Sequence, residues 1–415
     1  NNTAVGAESL KANTTGAGNV AVGYQALEKN TTGSDSTAIG YKALEELTTG
    51  VNNTALGAYA ADDTTTGSNN TALGRSALTV NTTGNSNTGV GYDAVYSNTT
   101  GSNNVGVGAS ALQQNTTGAS NIAVGVKALF ANTTASDNTA VGHAALGANT
   151  TGASNTAVGS YALDAATTAN YNTALGVSAL GANTTGANNI AIGYQALWGN
   201  TTQGSNIAIG SYSLKTQTSS GYQNIAIGYE AMEENTTGNN NTAVGHQALI
   251  KNTTGNQNTA FGSTALDANT TGSHNTAFGT NALSANTTSS GSTAVGEDAL
   301  FTSTGAQNTA MGQSALRLNS TGTQNVAIGP NALSANTTAD YNTALGTHTL
   351  LDNTTGSYNL AVGAHALESN TTTSYNTGVG GNALFTATAS HNTACGYNAL
   401  YATTTGEYNT AVGSQ

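Results

Sequence analysis

Six histidines and one cysteine are the side chains in this sequence best suited to metal binding or nucleophilic chemistry. His348 and His365 lie one repeat apart in a periodic sequence, and imidazole pairs are common metal ligands when the fold stacks them. No cluster of cysteines or carboxylates accompanies the pair, so we predict exposed loop histidines and no metal site. Cys395 stands where a repeated aliphatic residue is otherwise found, which predicts a buried thiol rather than a nucleophile. The remaining histidines are scattered, at His143, His246, His274 and His391.

Catalytic motifs are missing from the rest of the chain. The glycine-rich phrases lack the Gly-Lys-Ser/Thr step of a phosphate-binding loop, and calcium-binding nonapeptides of the GGxGxD type are absent. Catalysis needs several titratable groups that converge in one pocket, and the sequence gives no sign of such a group. We therefore predict a protein that is not an enzyme and that needs no cofactor.

Aromatic residues recur near the end of the chain at the spacing of the repeat described below. They predict a ladder of rings along one edge, which is either a glycan-binding site, because sugars stack on aromatic faces, or a self-stacked column that stabilises the fold. We favour the self-stacked column. The residues of this aromatic ladder are Tyr341, Tyr358, Tyr375, His391 and Tyr408. A second, more scattered set could contribute to an interface between chains: Tyr96, Phe130, Trp198, Phe301 and Phe385.

Asn-Thr-Thr triplets recur along the chain and match the acceptor sequence for N-glycosylation. The candidate acceptors are Asn13, Asn30, Asn81, Asn98, Asn115 and the equivalent residues of later repeats. The alternative is that Asn and Thr form turns and hydrogen-bonded ladders there. We favour this structural reading.

All these residues belong to one repeat that spans the chain. Its unit reads N-T-A-V-G-x-x-A-L-x-x-N-T-T-G-x-x, with position one at Asn2 and position 17 at Gly18. The glycine at position five recurs from Gly6 to Gly413, and nearly every interval has the full length of this unit. The interval that ends at Gly228 is longer by a single residue, and those that end at Gly312 and Gly396 are shorter by a single residue. Such small changes are typical of surface corners.

Two positions of the unit hold most of the large apolar side chains. Position four carries residues such as Val22, Leu56 and Phe261, and position nine carries residues such as Leu27 and Met232. We predict that both face a core, that glycines make the corners, and that each repeat forms two or three short strands. Repeats of this length bury a core only by stacking. The sequence therefore predicts an all-β fold, an elongated parallel β-solenoid of about 24 coils, as one domain over residues 1–415 with no separate globular domain.

Composition limits the classes of partner. Charged residues make up 7% of the chain, and 20 acidic against 8 basic residues give a net charge of −12. Nucleic-acid binding needs clustered Lys and Arg, so the balance argues against it. No apolar run is long enough to span a membrane, and we predict no membrane insertion.

The unit N-T-A-[VIL]-G-x-x-A-L resembles the head repeats of trimeric autotransporter adhesins, which form left-handed β-rolls packed as trimers. It is closer still to the N-T-A-[IV]-G-Y-x-A-L-x-x-N-T-T-G repeats of phage tail-fibre-like and bacterial surface proteins, as Asn189–Gly204 illustrates. The resemblance covers the whole chain, although the unit is longer than the adhesin-head repeat. It implies a homotrimer, and an end-to-end filament is the other form of self-association that we expect.

We therefore expect a structural, non-catalytic fibre that is extracellular, on a cell surface or on a virion, and that supports adhesion to a surface glycan or receptor. A self-polymerising matrix filament is one alternative. An ice-binding protein is another, since strand alternation would place Asn at position twelve and Thr at position fourteen outward, with Thr at thirteen inward.

Overall fold

The computed structural model describes residues 1–218 and 220–415, in which every regular element is a β-strand. Contacts divide the chain into two compact units, Asn1–Asn206 and Ile207–Gln415. Each unit is a stack of coils in which one coil corresponds to one sequence repeat. The assignment of residues 1–415 to one domain stays a prediction.

Each strand is short and occupies positions two to four of its repeat. The strands of the first unit are β1 Thr3–Val5, β2 Val20–Val22, β3 Thr37–Ile39, β4 Thr54–Leu56, β5 Thr71–Leu73, β6 Thr88–Val90, β7 Val105–Val107, β8 Ile122–Val124, β9 Thr139–Val141, β10 Thr156–Val158, β11 Thr173–Leu175 and β12 Ile190–Ile192. Those of the second unit are β13 Ile207–Ile209, β14 Ile225–Ile227, β15 Thr242–Val244, β16 Thr259–Phe261, β17 Thr276–Phe278, β18 Thr293–Val295, β19 Thr309–Met311, β20 Val326–Ile328, β21 Thr343–Leu345, β22 Leu360–Val362, β23 Thr377–Val379, β24 Thr393–Cys395 and β25 Thr410–Val412.

Consecutive strands within each unit pair in parallel, with equivalent repeat positions opposite one another. Ala21 of β2 pairs with Ala4 of β1 and Ala38 of β3, for example. The pairing keeps this register where the repeat is longer by a single residue, as in Ile207 opposite Ile225, and where it is shorter, as in Thr293 opposite Thr309. The predicted parallel β-solenoid, with one coil for each sequence repeat, is confirmed.

The backbone between strands is also hydrogen-bonded along the stack, although it is not extended. Leu27 N donates to Ala43 O at 3.1 Å, and Thr31 N donates to Thr48 O at 3.0 Å. Positions seven, nine and 17 have positive φ angles in almost every coil, even though most are not glycine: φ is 56° at Gln25 and 54° at Leu27. This left-handed backbone interrupts any extended run, so the expectation of two or three strands per coil is wrong and each coil has one.

Glycine at position five is required by the close approach of successive coils. Gly23 has a φ of +139°, and a Cβ there would lie 2.3 Å from the carbonyl oxygen of Gly40 in the next coil. No side chain can occupy that space without separating the coils. This explains why the glycine recurs at every interval of the repeat.

The apolar interior is built from positions three, eight and nine. Ala21, Ala26 and Leu27 are fully buried, and the equivalent residues of later coils repeat this pattern. Position three stays small because its Cβ already meets the leucine of the preceding coil, as Gly89 shows: a Cβ there would lie 3.3 Å from Leu78 Cγ. The prediction for position nine is confirmed. The prediction that position four faces the core is wrong, because strand alternation turns position three inward and positions two and four outward.

The polar interior is built from two ladders of asparagine. At position twelve, Asn98 Nδ2 donates to Asn81 Oδ1 of the preceding coil at 2.7 Å and to Gly101 O at 2.9 Å. At position one, Asn87 Oδ1 accepts from the backbone N of Asn104 at 2.9 Å, and Asn87 Nδ2 donates to Gly101 O at 2.8 Å. Both ladders therefore satisfy buried backbone groups as well as their own amides.

Candidate functional site

The outward side chains at positions two and four form a strand face on each unit. Position two is most often Thr and otherwise Val, Ile or Leu. Position four is mostly Val, Ile or Leu, so the described strands carry no charged residue on this face. Phe261 and Phe278 stack on this face with their ring centroids 4.8 Å apart. Phe278 is 51% exposed and Leu345 is 44% exposed. A row of exposed apolar side chains such as that at position four is typical of an interaction site.

Cys395 lies on the strand face, at position four of β24, and its thiol is exposed. The expectation of a buried thiol is wrong for the same reason that applies to the rest of position four. The structure thus places a free cysteine among aliphatic side chains that point to solvent.

The aromatic ladder forms a continuous stack of rings at position 17. The centroids of successive rings are separated by 4.8 Å for Tyr341 and Tyr358, 5.2 Å for Tyr358 and Tyr375, 5.1 Å for Tyr375 and His391, and 4.8 Å for His391 and Tyr408. Interplanar angles of 3° to 19° make the rings nearly parallel. The arrangement is the self-stacked column expected from the spacing.

Stacking limits what the aromatic ladder can bind. Each inner ring has both faces covered by its neighbours, so a sugar could stack only on the terminal rings, Tyr341 and Tyr408, or touch ring edges. Glycan binding at this ladder stays a prediction. Position ten gives a second stack, in which Phe385 and Tyr401 lie 5.0 Å apart. Other members of that scattered set contact cations instead, as Phe301 does with Arg317 at 5.8 Å.

The Asn-Thr-Thr corner is oriented differently from the sequence-based expectation. Asn30, Asn81, Asn98 and Asn115 are fully buried in the position-twelve ladder, and Asn13 is half-buried. A glycosyltransferase could reach the four buried amides only before the chain folds. Glycosylation of these residues stays a prediction.

The same corner bears on ice binding, because it decides which residues could form a rank on the surface. Thr31 at position thirteen donates its hydroxyl to Thr48 O at 3.0 Å, and Thr32 at position fourteen is exposed. Because the asparagines of position twelve point inward, that position presents no Asn rank to solvent in the described coils. One exposed Thr rank remains there, on a bend rather than on a strand.

The histidines fall into different environments. His348 and His365 lie on successive coils and pack edge to face, with ring centroids 5.3 Å apart and an interplanar angle of 68°. Glu368 lies beside them, and its Oε2 is 2.5 Å from His365 Nδ1. Sequence reasoning noticed the histidine pair but missed Glu368. The available signal was its place in the turn that directly follows His365.

A shallow groove of about 220 Å³ lies in the first unit, where Ala144 and Gly147 leave room between larger neighbours. Its walls are Lys127, Phe130, Tyr161 and Asp164. Burial raises the pKa of the Asp164 carboxyl above its usual value. Sequence reasoning missed this groove because no motif marks the absence of two side chains.

A charged cluster occupies positions seven, ten and eleven of the early coils. Lys42 Nζ lies 2.9 Å from Glu45 Oε2, and Lys29 also pairs with Glu46. Asp62 packs on the next coil, where burial, followed by repulsion from Glu45 and Asp63, raises its pKa to about 7.

Comparisons with known proteins assign no family: no protein-family model matches the chain, and no curated protein matches it. The described residues contain no helix with the length and apolar character needed to cross a membrane.

Proposed function

We propose that this chain is a structural, non-catalytic component of an extracellular, cell-surface or virion fibre, and that it associates with further copies of itself through the strand face. The observation that carries the proposal is the absence of charge from that face in the described strands, together with its row of mostly aliphatic side chains at position four. The interior supports it as well, because ladders of buried amides and leucines suit a repetitive framework.

A second copy of the chain is the partner that fits this face best. The side chains repeat at the spacing of stacked strands, about 4.8 Å, and another solenoid with the same repeat matches that spacing over many coils. A half-exposed aliphatic side chain presents roughly 60–80 Å², so twelve coils offer on the order of 800 Å² at position four, which is what one partner of a stable complex buries. Adhesion to a glycan or receptor would then belong to the assembled fibre.

The test compares the association of variants that carry a lysine on the strand face with that of a variant that carries a lysine at position eleven. Leu345 at position four is 44% exposed, and Leu318 at position eleven is 43% exposed, so they form a matched pair. We expect sedimentation velocity and electron microscopy to show association of the wild type. Leu345→Lys combined with Phe278→Lys should weaken it by at least tenfold, because the two buried unpaired charges together cost more than about 1.4 kcal/mol. Leu318→Lys should leave association unchanged.

Cys395 gives an independent readout of the same contact. If strand faces pair, alkylation of its thiol slows as the protein concentration rises through the association range. A wild-type chain that remains monomeric at every concentration, or that associates equally well with both lysines on the strand face, contradicts the proposal.

A further inference from the structure

The second unit brings two imidazoles and a carboxylate together on its surface. His348 and His365 both occupy position seven, and the backbone N of His365 donates to Thr347 O at 3.0 Å, which holds the two coils in register. Both residues have left-handed backbone, with φ of 54° and 60°. The two rings therefore leave successive coils in the same direction.

Potential ligand atoms of His348, His365 and Glu368 all lie within 4.8 Å of one another, and the three residues are half-buried. Among the described residues they form the one group of three or more His, Cys, Asp and Glu side chains with this proximity. Asn331, at position seven of the preceding coil, borders the trio: its Nδ2 lies 3.2 Å from His348 Nε2.

The electrostatic surroundings favour a cation at this point. Arg317 is the last lysine or arginine in the sequence, so residues 318–415 contain neither. In the part of the chain that the structure describes, Glu368 has no lysine or arginine partner, in contrast to Glu45 and Glu46 of the first unit, which pair with lysines. A divalent cation would supply the positive charge that the sequence omits here.

The geometry points to a surface site for a borderline divalent transition metal, of which Zn²⁺ is the representative, held by His348, His365 and Glu368. Two imidazoles and one carboxylate are a ligand set that zinc prefers, with water in the fourth position. Tetrahedral coordination at about 2.0–2.1 Å needs ligand atoms about 3.3 Å apart. Rotation of these half-exposed side chains brings their ligand atoms to that spacing.

Binding would clamp two successive coils together. His348 belongs to one coil and His365 with Glu368 to the next, so the metal adds a link between the coils to the hydrogen bonds and side-chain packing that already join them. The ion stabilises the folded chain because the unfolded chain does not hold the three ligands together.

The experiment titrates untagged full-length protein with ZnCl₂ by isothermal calorimetry and measures Tm with and without zinc. His348→Asn combined with His365→Asn is the informative variant, because Asn331 and Asn382 occupy position seven of the adjoining coils with φ of 56° and 54°. These substitutions keep the local backbone and remove both imidazoles. We expect one zinc per wild-type chain, a higher Tm with zinc, and affinity lower by roughly tenfold or more in the double variant. Glu368→Gln should also weaken binding.

His274→Asn is the matched control, since it removes an imidazole from a left-handed position outside the trio, with φ of 61°. It should bind zinc as the wild type does. Zinc affinity that is equal in the wild type and the double variant overturns the site. So does a wild type that binds Mg²⁺ as tightly as Zn²⁺, because hard cations prefer oxygen ligands to imidazole.

Discussion

Asp62 is a carboxylate in a position that favours its neutral form. Its Oδ1 is buried and has no hydrogen-bond partner among the described residues. Burial has the largest effect on its pKa, and the negative charges of Glu45 and Asp63 add to it, so the pKa rises from 3.8 to about 7. Lys42 opposes the change only in part.

This environment predicts a pH-dependent stability. A folded pKa above the unfolded value means that the folded state binds the proton more tightly. The contribution of the Asp62 carboxyl to stability is therefore fully present below pH 3.8 and is lost as the pH rises through about 7. We expect Asp62→Asn to raise the Tm near pH 8, above the folded pKa, and to leave it unchanged near pH 3.5, below the unfolded one. The measurement is thermal unfolding of both proteins across that range. A difference in Tm that is the same at both pH values would show that charge is not the cause.

Individual side-chain orientations were the least predictable feature of the sequence. Cys395 was expected inside and Asn30 outside, and both expectations were wrong. Strand alternation predicts which side chains point inward only if the central residue of the strand is known. That residue is hard to locate from the sequence because the strand is very short. Left-handed Leu27 could not be foreseen either, because leucine has no intrinsic preference for positive φ.

The position-twelve asparagine ladder is the element whose interruptions are easiest to interpret. Asn149 Oδ1 is buried without a hydrogen-bond partner in the described ranges, and the next coil has Ala166 at position twelve. Asn30 Oδ1 is in the same condition, with Leu47 in the coil that follows it. A missing amide in one coil therefore leaves an acceptor unsatisfied in the coil before it.

Restoring the missing amide should stabilise the first unit. Ala166→Asn lets a new Nδ2 donate to Asn149 Oδ1, and lets Asn183 donate to the new Oδ1. Ala169 is no obstacle, since Asn132 and Ala135 already coexist in the equivalent positions. We expect the free energy of unfolding to rise by about 1–3 kcal/mol, as measured by chemical denaturation.

Ala166→Leu combined with Ala169→Gly is the control for this prediction, with Ala169→Gly alone as its reference, because Leu47 occupies position twelve beside Gly50, where a Cβ would lie 2.8 Å from Leu47 Cδ1. Leucine fills the space without providing a donor. If leucine stabilises as much as asparagine, cavity filling is the cause and the hydrogen-bond argument fails.

Elements were predicted better than side chains. The parallel stack, its coil-to-coil register and the leucine at position nine followed from the repeat, because stacking is the only way for such short units to bury a core. The aromatic ladder was predictable too, because residues spaced by one repeat in the sequence lie one above another in a solenoid. The groove at Ala144 and Gly147 did not, because it depends on the sizes of side chains in adjacent coils.

Register governs the behaviour of the whole molecule. In each unit every strand meets its neighbour at equivalent positions, and the repeats that are longer or shorter by a single residue preserve that match. Stability in such a stack is close to a sum of coil and neighbour contributions. Adding or removing whole coils should therefore change the length of the chain without changing its fold.

This independence predicts the outcome of deletions. Removing Gly125–Val141, which is one repeat, joins β8 directly to the turn that follows β9. Equivalent repeat positions then still lie opposite one another in the coils on either side of the deletion. We expect a folded protein with the wild-type far-UV spectrum per residue and a similar Tm. Removing Gly125–Asn132 alone brings non-equivalent positions together and should prevent folding of the neighbouring coils. Equal Tm values for the two deletions would refute the role of register.

The equal register of successive coils, each with its glycine at position five, also has a genetic consequence. Because any coil can follow any other, unequal recombination between the DNA segments that encode two repeats yields a longer or shorter protein that still folds. The number of repeats can therefore change between strains through intermediates that all fold. Related chains should then differ in length mainly by whole repeats, while the glycine itself remains invariant.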